Sequence, residues 1–259
     1  MRNVLEYLEM TAPRVPEKVA IGAPEGSLSY GELLRQAKSV GSFLHGTGLY
    51  GKSVVVFMHK SPQTIAAFLG AIYAGCYYVP LDEEMPAHRI GLIFDTLRPE
   101  AVIYDETTRE ALNALPYSGA SYLYRDISET PVAEDALAAI REKQLDTDPI
   151  YIVFTSGSTG VPKGVVGCHR AVIDYIENLC PVLQPDETSV FGNQTPLYFD
   201  AFLKEVFPAF RYGGTVWLIP RQLFMFPVKL VEFLNEYRIN TVCWVVSALT
   251  MISSFGTFR

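Results

Sequence analysis

Short apolar runs alternate with longer segments of helical periodicity along most of this chain, and this alternation limits the folds that it can adopt. The runs AVIYD, SYLYR, IYIVF, SVFGN, GTVWLIP and TVCWVV have the length and composition of buried strands. Helical periodicity is found in PAHRIGLIFDTL, EDALAAIREKQL, RAVIDYIENLC, DAFLKEVFPAFRYG and PVKLVEFLNEYR, which lie between several of these runs. Strands that alternate with helices predict an α/β fold, in which helices flank a sheet.

Two helices in the first third of the chain carry clear end signals. In SYGELLRQAKSVGSFLHGTG, Ser29 and Glu32 have the spacing of a capping box, and glycines follow the apolar face. The run KSVVVFMH is typical of a buried strand. In SPQTIAAFLGAIYAG, Ser61 is expected to cap a helix that has Pro62 at its first position and ends at Gly75. These segments predict a strand–helix unit.

The composition excludes several classes of protein. The chain has 259 residues, 49% hydrophobic and 19% charged, so it can bury the core of one large domain or of two smaller ones. Its net charge of −7 and its lack of a Lys and Arg cluster argue against a nucleic-acid partner. The four cysteines show no metal or disulfide spacing, and no apolar run approaches the roughly 18 residues of a membrane span. We therefore expect a cytoplasmic protein with no membrane partner.

The segment FTSGSTGVPKG, from Phe154 to Gly164, is the strongest local signal of a binding site. It follows IYIVF directly and contains four hydroxyl side chains, three glycines and one lysine. A glycine-rich bend after a strand lets backbone N–H groups and hydroxyls converge on an anion. A row of phosphates requires such donors, because each oxygen taken from water must find a partner. The segment predicts a loop that binds polyphosphate through Thr155, Ser156, Gly157, Ser158, Thr159, Gly160 and Lys163.

This loop differs from the Walker A sequence found in many nucleotide-binding proteins. The spacing from Gly157 to Lys163 fits that pattern, but Pro162 stands in place of its second glycine. Gly164 stands in place of its Ser or Thr, so a different type of nucleotide loop is implied. The other interpretation is a flexible surface turn, because Ser, Thr and Gly are common in loops.

The longer stretch YIVFTSGSTGVPKG resembles the phosphate-loop signature of adenylate-forming enzymes. This superfamily includes acyl-CoA synthetases, luciferases and the adenylation domains of nonribosomal peptide synthetases. Three further stretches resemble other core motifs in the family's order: LSYGEL from Leu28, GAIYAGCYYVPLD from Gly70 and YFDAFLKEVFPAFRYGGT from Tyr198. The chain is identified as a member of this superfamily, and it is most similar to the amino-acid-activating branch, which includes D-alanine-carrier protein ligases.

The resemblance implies an organisation and a reaction. Residues 1–259 would be an incomplete large N-terminal domain, its front portion, with layered sheets flanked by helices and a join between subdomains near 145–150. In this family, ATP with Mg²⁺ converts a carboxylate to an acyl-adenylate and pyrophosphate, and the acyl group then passes to a thiol, here that of a carrier protein. The carboxylate is itself the nucleophile, so the enzyme supplies positioning and neutralises charge.

The resemblance also implies that Phe199 and Asp200 bind the substrate. In the amino-acid-activating branch, the matching aspartate pairs with the substrate's ammonium group, which needs a fixed carboxylate once it leaves water. The matching aromatic residue closes over the carboxylate end of the acyl pocket. Two structural interpretations stay open: Asp200 could cap the helix that follows, and Phe199 could be a core residue. Phe202 stands where the family usually has a serine, which leaves the substrate open.

Several polar residues near the motifs are expected to be structural. His169 and Arg170 follow the loop at the start of the next helix, where packing or capping is the expected role. Lys204 and Glu205 are expected on a solvent-facing side of their helix. A structural role is also expected for three residues of the second motif: Tyr77, Tyr78 and Asp82.

Parts of the family's machinery have no match in the chain. It contains no segment like YGPTE, which stacks on adenine, none like TGD, whose aspartate binds ribose, and no lysine motif of the small C-terminal domain. No catalytic residue or metal ligand is therefore assigned within it. We expect a fragment that binds phosphates weakly and does not catalyse adenylation alone. Its strand edges are expected to be open, which predicts self-association.

Three functional interpretations follow. The first is a fragment of an ATP-dependent ligase that loads an amino acid onto a carrier protein. The second is a fragment of an acyl-CoA or aryl-acid synthetase, for which Asp200 would be only a helix cap. The third is a non-catalytic interaction module whose exposed edges bind a partner.

Overall fold

The computed structural model describes residues 1–156 and 161–254, and the strands in these ranges form two sheets. The smaller sheet has the order β2-β1-β10-β9. Strands β1, β10 and β9 run parallel, and β2 pairs antiparallel with β1. Its strands are β1 Val19–Ala23, β2 Gly26–Ser29, β9 Val190–Asn193 and β10 Thr215–Leu218.

The larger sheet has six strands in the order β6-β5-β3-β4-β7-β8. Neighbouring strands are parallel except for β7 and β8, which form an antiparallel hairpin. In the middle of this sheet Val55 lies opposite both Val79 and Val102. The strands are β3 Ser53–Phe57, β4 Tyr77–Leu81, β5 Ala101–Tyr104, β6 Ala120–Leu123, β7 Pro149–Thr155 and β8 Lys163–Cys168.

Helices connect these strands, and two of them begin as the sequence predicts. Ser29 and Glu32 form the capping box of α2, and the Ser61 side chain accepts the Thr64 N–H at the start of α3. The α-helices are α1 Leu5–Thr11, α2 Tyr30–Gly46, α3 Pro62–Tyr73, α4 Ala87–Leu97, α5 Arg109–Asn113, α6 Tyr124–Ile127, α7 Glu134–Lys143, α8 His169–Leu183, α9 Leu203–Tyr212, α10 Pro227–Glu236 and α11 Val246–Ser254. Short 3-10 helices cover Asp200–Phe202 and Arg221–Met225.

The two sheets enclose a layer of helices between them. The largest apolar cluster contains residues of both sheets together with residues of α1, α2, α3, α8 and α9. A second cluster packs α4 and α5 on the other face of the larger sheet. A third packs α10 and α11 beside the smaller sheet. The structure therefore confirms the α/β class, with layered sheets flanked by helices.

Helices α2 and α3 approach each other closely because each has a glycine at the contact. A Cβ atom added at Gly41 would lie 2.5 Å from the Tyr73 Cβ, and one added at Gly70 would lie 2.5 Å from a methyl group of Val40. Real side-chain atoms do not approach so closely, so a larger residue at either position would push the helices apart. The enclosed layer thus depends on these small residues.

The sequence prediction was wrong in one strand. TVCWVV, residues 241–246, was predicted as a strand, but it meets β9 through a single bridge between Thr241 and Phe191. The Trp244 indole then turns inward and donates to the Gly192 carbonyl at 2.7 Å, and α11 begins at Val246. Burial of this indole, rather than strand pairing, decides the path of the segment. SYLYR is a strand only as far as Leu123, after which α6 begins.

The described residues contain no helix that is both long and apolar enough to span a membrane. All four cysteines are free thiols, two of them buried.

Candidate active site

The predicted phosphate loop joins the two strands of the β7–β8 hairpin. Thr155, the last residue of β7, lies opposite Lys163, the first residue of β8. The Thr155 hydroxyl donates to the Lys163 carbonyl at 3.4 Å, which closes the base of the loop. Four of the predicted residues, Gly157, Ser158, Thr159 and Gly160, lie outside the described residues. Strand β8 itself was missed by the sequence analysis.

Tyr151, Val153 and Thr155 share one face of β7. Side chains alternate along a strand, and Tyr151 and Val153 belong to the apolar cluster between the sheets, whereas Phe154 belongs to the cluster on the opposite face. Because directly opposed residues of an antiparallel pair share a face, Lys163 lies on the Thr155 side. The positive charge of the loop is therefore on the face of the sheet that carries Tyr151.

Asp200 lies near this face. It is exposed, and its carboxylate accepts a long hydrogen bond of 3.5 Å from the Tyr151 hydroxyl. Phe199, not Asp200, occupies the N-cap position of the 3-10 helix, and no side-chain cap hydrogen bond is made there. Tyr151 and Thr155 are four residues apart on β7, so their Cα atoms are separated by roughly 13 Å.

Burial, together with the neighbouring Asp200 carboxylate, raises the pKa of Tyr151 to about 12. The phenol therefore keeps its proton at neutral pH and donates to the carboxylate. Among the described residues, none of the ion pairs closer than 4 Å includes Asp200, because every lysine and arginine in those pairs contacts another acid. An exposed carboxylate with one weak donor can receive an ammonium group.

A cavity of about 470 Å³ brings predicted residues from two motifs together. Thr155 and Ser156 line one side of it, and Phe199 and Tyr198 line another. Phe199 is 44% exposed, so it is not a core residue. The volume lies within the range of small-molecule sites, roughly 300 to 1,000 Å³.

Arg89 of α4 also lines this cavity and was missed by the sequence analysis. Its Nη1 donates to the Ser156 hydroxyl at 3.4 Å. The second guanidinium of the lining belongs to Arg221, which pairs with Glu84 at 2.5 Å. No sequence pattern pointed to either arginine, because each comes from a segment far from the loop.

A larger cavity of about 840 Å³ lies beside the first, between the carboxyl ends of the two sheets. None of the predicted site residues lines it. It shares four lining residues with the smaller cavity: Asp82, Glu84, Tyr198 and Arg221. Asp82 was expected to lie outside the site, but it borders both cavities. Tyr78 is structural as expected, since its ring stacks on Phe68 at 4.3 Å.

His169 and Arg170 have structural roles, as the sequence predicts. The His169 ring is 1% exposed, and its Nδ1 accepts the Val4 N–H at 3.2 Å. Burial, with the nearby Arg141 charge, lowers the pKa of His169 to about 4, so the ring is neutral at pH 7. Arg170 forms two hydrogen bonds with Asp146, of 2.8 and 2.7 Å. Both residues anchor the start of α8.

Glu205 contradicts the sequence prediction. It was expected to face solvent, but it is 0% exposed and bound by the Asn193 amide. Helix α9 lies in the enclosed layer, and its apolar neighbours Val206, Phe207 and Phe210 draw this part of the helix inward. Lys204, the preceding residue, is only partly exposed.

Residues 8–259 match the family of AMP-binding enzymes. The D-alanine–D-alanyl carrier protein ligase of Staphylococcus aureus (strain bovine RF122 / ET3-1) is 31% identical over 247 residues, which make up 95% of this chain and 48% of that protein. The chain thus spans about half the length of the curated relatives that it matches.

Three solved structures, two of them of one protein, show the same fold. The nonribosomal peptide synthetase FmoA3 superposes with a TM-score of 0.87 at 26% identity, over 99% of this chain and 27% of that chain. Its AMPPNP-bound form superposes with a TM-score of 0.86 at 25% identity, over 100% of this chain and 27% of that chain. VinN in complex with L-aspartate superposes with a TM-score of 0.81 at 22% identity, over 98% of this chain and 70% of that chain. At this identity the similarity concerns the fold alone.

Proposed function

Because this chain belongs to the family of AMP-binding enzymes, we propose that it forms the part of an ATP-dependent ligase that binds the ATP phosphates and an amino acid. The complete activity would convert the amino acid to an aminoacyl-adenylate, release pyrophosphate and load the aminoacyl group onto a carrier-protein thiol. Residues 1–259 would then be the front portion of the large N-terminal domain, with a join between subdomains near 145–150. The name of the relative that is 31% identical supports the choice of an amino acid and a carrier protein.

One observation carries this proposal: Phe199 lines the same cavity as Thr155 and Ser156. A ligand in that cavity would touch the base of the phosphate loop and the start of the substrate segment at once. Asp200 follows Phe199 directly and is exposed. The cavity therefore suits a reaction between a phosphate and a carboxylate whose ammonium group is held nearby.

The phosphates would be held by the loop. Its hydroxyl groups and backbone N–H groups donate to phosphate oxygens, and Lys163 adds a positive charge at the loop base. The residues in this role are Thr155, Ser156, Gly157, Ser158, Thr159, Gly160 and Lys163. Neutralisation of the phosphates allows an anionic carboxylate to approach phosphorus, since two anions otherwise repel.

Asp200 would bind the substrate's ammonium group, and Phe199 would cover its carboxylate end. A carboxylate oxygen then attacks the α-phosphorus of ATP, and the bond from that phosphorus to the bridging oxygen of pyrophosphate breaks with its electron pair. No general base is required, because the nucleophile is already ionised. In the second step a thiolate attacks the acyl carbon and AMP leaves.

Magnesium would accompany ATP. Mg²⁺ is usually held by substrate phosphates and one or two carboxylates, and it neutralises phosphate charge. Among the described residues, no group of three or more His, Cys, Asp and Glu side chains could hold a metal ion. We therefore propose that Mg²⁺ enters as a complex with ATP, and we assign it no ligand in this chain.

Calorimetric titration of this chain with ATP and Mg²⁺ tests the phosphate site. We expect saturable binding that Lys163→Ala weakens at least about tenfold, because one charge-assisted contact contributes roughly 1.4 kcal/mol or more. Lys143→Ala is the matched control, since Lys143 is exposed at the end of α7 and should leave the affinity unchanged. Absence of saturable binding would support the non-catalytic interaction module instead.

Amino-acid-dependent exchange of pyrophosphate into ATP tests the catalytic part of the proposal. We expect the 259-residue chain alone to show no sustained exchange, because most groups that orient the α-phosphorus are absent from its sequence. Exchange by this chain well above that of Lys163→Ala would contradict this expectation.

The acyl-CoA or aryl-acid alternative treats Asp200 as a helix cap only. The structure gives that role no support, because the cap position belongs to Phe199 and no side-chain cap bond is present.

Exposed apolar residues on β8 support self-association of the chain. This strand lies at the edge of the larger sheet, and Val165 and Val166 on it are 52% and 58% exposed. We propose that the edge pairs with a second copy. Light scattering should show oligomers that Val166→Lys reduces, and a monodisperse monomer for the unaltered chain would contradict the proposal.

A further inference from the structure

Three polar residues, Lys60, Asn193 and Glu205, are linked by hydrogen bonds near the ends of the segment 194–200, which carries Phe199 and Asp200. Asn193 ends β9 directly before this segment, and Glu205 lies in the first turn of α9, five positions after the segment ends. Both are 0% exposed. Lys60, which follows β3 of the larger sheet, is partly exposed and lines the larger cavity. The proposed binding of ATP and amino acid uses none of the three.

The Lys60 amine links the two sheets. It donates to the Asn193 carbonyl at 3.2 Å and to the Ile219 carbonyl at 3.3 Å. Asn193 ends β9 and Ile219 follows β10, so one side chain from the larger sheet holds the carboxyl ends of two strands in the smaller sheet. The Asn193 side-chain amide in turn donates to the Glu205 carboxyl group. Asn193 is therefore bound by Lys60 through its main chain and by Glu205 through its side chain, which connects Lys60 to α9.

These contacts hold both ends of the segment 194–200. Its start is fixed at Asn193 through the main chain by Lys60, and through the side chain by Glu205. Its end is fixed because Glu205 lies only five positions after Asp200. Displacement of either anchor would move the exposed Asp200 carboxylate relative to Tyr151, which contacts it from a different strand.

Burial of such groups is not an efficient way to stabilise a fold. Apolar side chains of similar size often give equal or greater stability than a buried pair of charged residues. Burial raises the pKa of Glu205 to about 8, and it lowers the pKa of Lys60 to about 8. The nearby Lys60 charge opposes the first shift, and the Glu205 carboxylate opposes the second. Directional hydrogen bonds fix geometry in a way that apolar contacts do not.

We propose that Lys60, Asn193 and Glu205 are positioning residues that hold the segment 194–200, and with it Phe199 and Asp200, in the geometry that receives an amino-acid substrate. The substrate in this statement rests on the proposed function. The mechanical part, that these residues fix the segment, does not depend on it.

Amide hydrogen exchange of the 259-residue chain, followed by mass spectrometry, tests the mechanical part. We expect Lys60→Met and Glu205→Met to speed exchange in peptides from 194–202 at least about tenfold. Peptides from β3 and β5 should speed up less than peptides from 194–202, because the change frees the segment in addition to any loss of global stability. Glu205→Gln should keep the rates of the unaltered chain, since its amide oxygen still accepts from Asn193.

The exposed ion pair of Lys52 and Glu100 provides the matched control. These side chains are 53% and 47% exposed and 3.0 Å apart, so Lys52→Met and Glu100→Met make the same chemical changes outside the cluster. They should leave exchange in 194–202 unchanged. If the methionine variants do not fold, Asn193→Ser removes the amide donor without adding bulk and should give the same local effect.

The inference is wrong if exchange in 194–202 stays unchanged in the folded variants, or if exchange rises equally throughout the chain.

Binding of D-alanine, measured by ligand-observed NMR, tests the link to substrate. Lys60→Met should weaken it at least about fivefold and leave the affinity for ATP within about twofold. No D-alanine binding by the unaltered chain, with local exchange as expected, would refute D-alanine as the substrate that this segment receives but keep the mechanical part. The titration with ATP and Mg²⁺ would still decide the proposed phosphate site.

Discussion

Asp200 and Glu205 are two acids five positions apart in one motif, and they lie in opposite environments. Asp200 is exposed on a 3-10 turn and receives one weak hydrogen bond from Tyr151. Glu205 is fully buried and bound by Asn193. An acid that keeps contact with water can exchange that contact for an incoming ammonium group. Glu205 has no exposed surface that an incoming ligand could contact, so it can only bind its neighbours in the fold.

The two acids are expected to affect different properties, Glu205 the stability of the fold and Asp200 the binding of ligand. Loss of Glu205 should damage the fold, because its removal leaves the buried Asn193 amide without its acceptor. Loss of Asp200 should damage ligand binding alone, since water can replace its single hydrogen bond.

The largest effect is expected for Glu205→Ala. It should lower the free energy of unfolding by about 3 kcal/mol, from an unsatisfied buried amide and a cavity. Asp200→Ala should change it by less than about 0.5 kcal/mol, as surface substitutions usually do. Urea unfolding followed by circular dichroism measures both. Equal losses for the two variants would show that the contrast between the residues is wrong.

Protonation of the buried His169 ring is expected to lower the stability of the fold at acid pH. Its pKa is lowered from 6.5 to about 4 in the folded chain, so the folded state binds fewer protons than the unfolded state between these values. Its stabilising contribution is complete above about pH 6.5 and is lost as the pH falls towards 4, by at most about 3 kcal/mol.

Urea unfolding at a series of pH values between 7 and 4.5 measures this loss. His169→Gln should make the curve flatter, whereas His88→Gln should not, because His88 is exposed on α4. Identical slopes for both variants would assign the acid sensitivity to other groups.

A smaller effect is expected for Asp200→Asn, and it concerns binding alone. The affinity for D-alanine should fall at least about tenfold, or about 1.4 kcal/mol, because the neutral amide cannot pair with the ammonium group. The affinity for ATP should stay within about twofold. Ligand-observed NMR and calorimetry measure the two affinities, and a parallel loss of both would indicate that the variant disturbs the loop rather than the ammonium site.

The smallest effect is expected for Tyr151→Phe. This change removes the 3.5 Å hydrogen bond to Asp200 and keeps the buried ring, so the free energy of unfolding should change by less than about 1 kcal/mol. The affinity for D-alanine should fall about two- to threefold. A loss as large as that of Asp200→Asn would make the tyrosine hydroxyl a direct partner of the substrate.

Much of the fold could be predicted because its signals are local. The capping box at Ser29 and the cap at Ser61 depend on residues three positions apart, and both were predicted correctly. The strand TVCWVV failed because its partner is distant: one bridge to Phe191 and the burial of Trp244 decide its path. Strand β8 was missed because its exposed valines follow a segment dominated by glycine and hydroxyl residues.

The candidate site was partly accessible from the sequence. Motifs named Thr155, Ser156, Lys163, Phe199 and Asp200, and their roles as ligand-binding residues stay predictions. Arg89 was not predicted, because only the packing of α4 beside the larger sheet brings it to Ser156. The same holds for Lys60, which lies 133 positions before the Asn193 carbonyl that it binds.

The sequence by itself determined the alternation of strands and helices, the helix ends and the composition of the loop, because each depends on neighbours within a few positions. Only the tertiary structure decided which charged residues are buried, which cavity joins the loop to Phe199, and which side chains connect the two sheets. These outcomes depend on contacts between segments distant in the chain, since burial and hydrogen bonding are set by whatever packs against a residue in three dimensions.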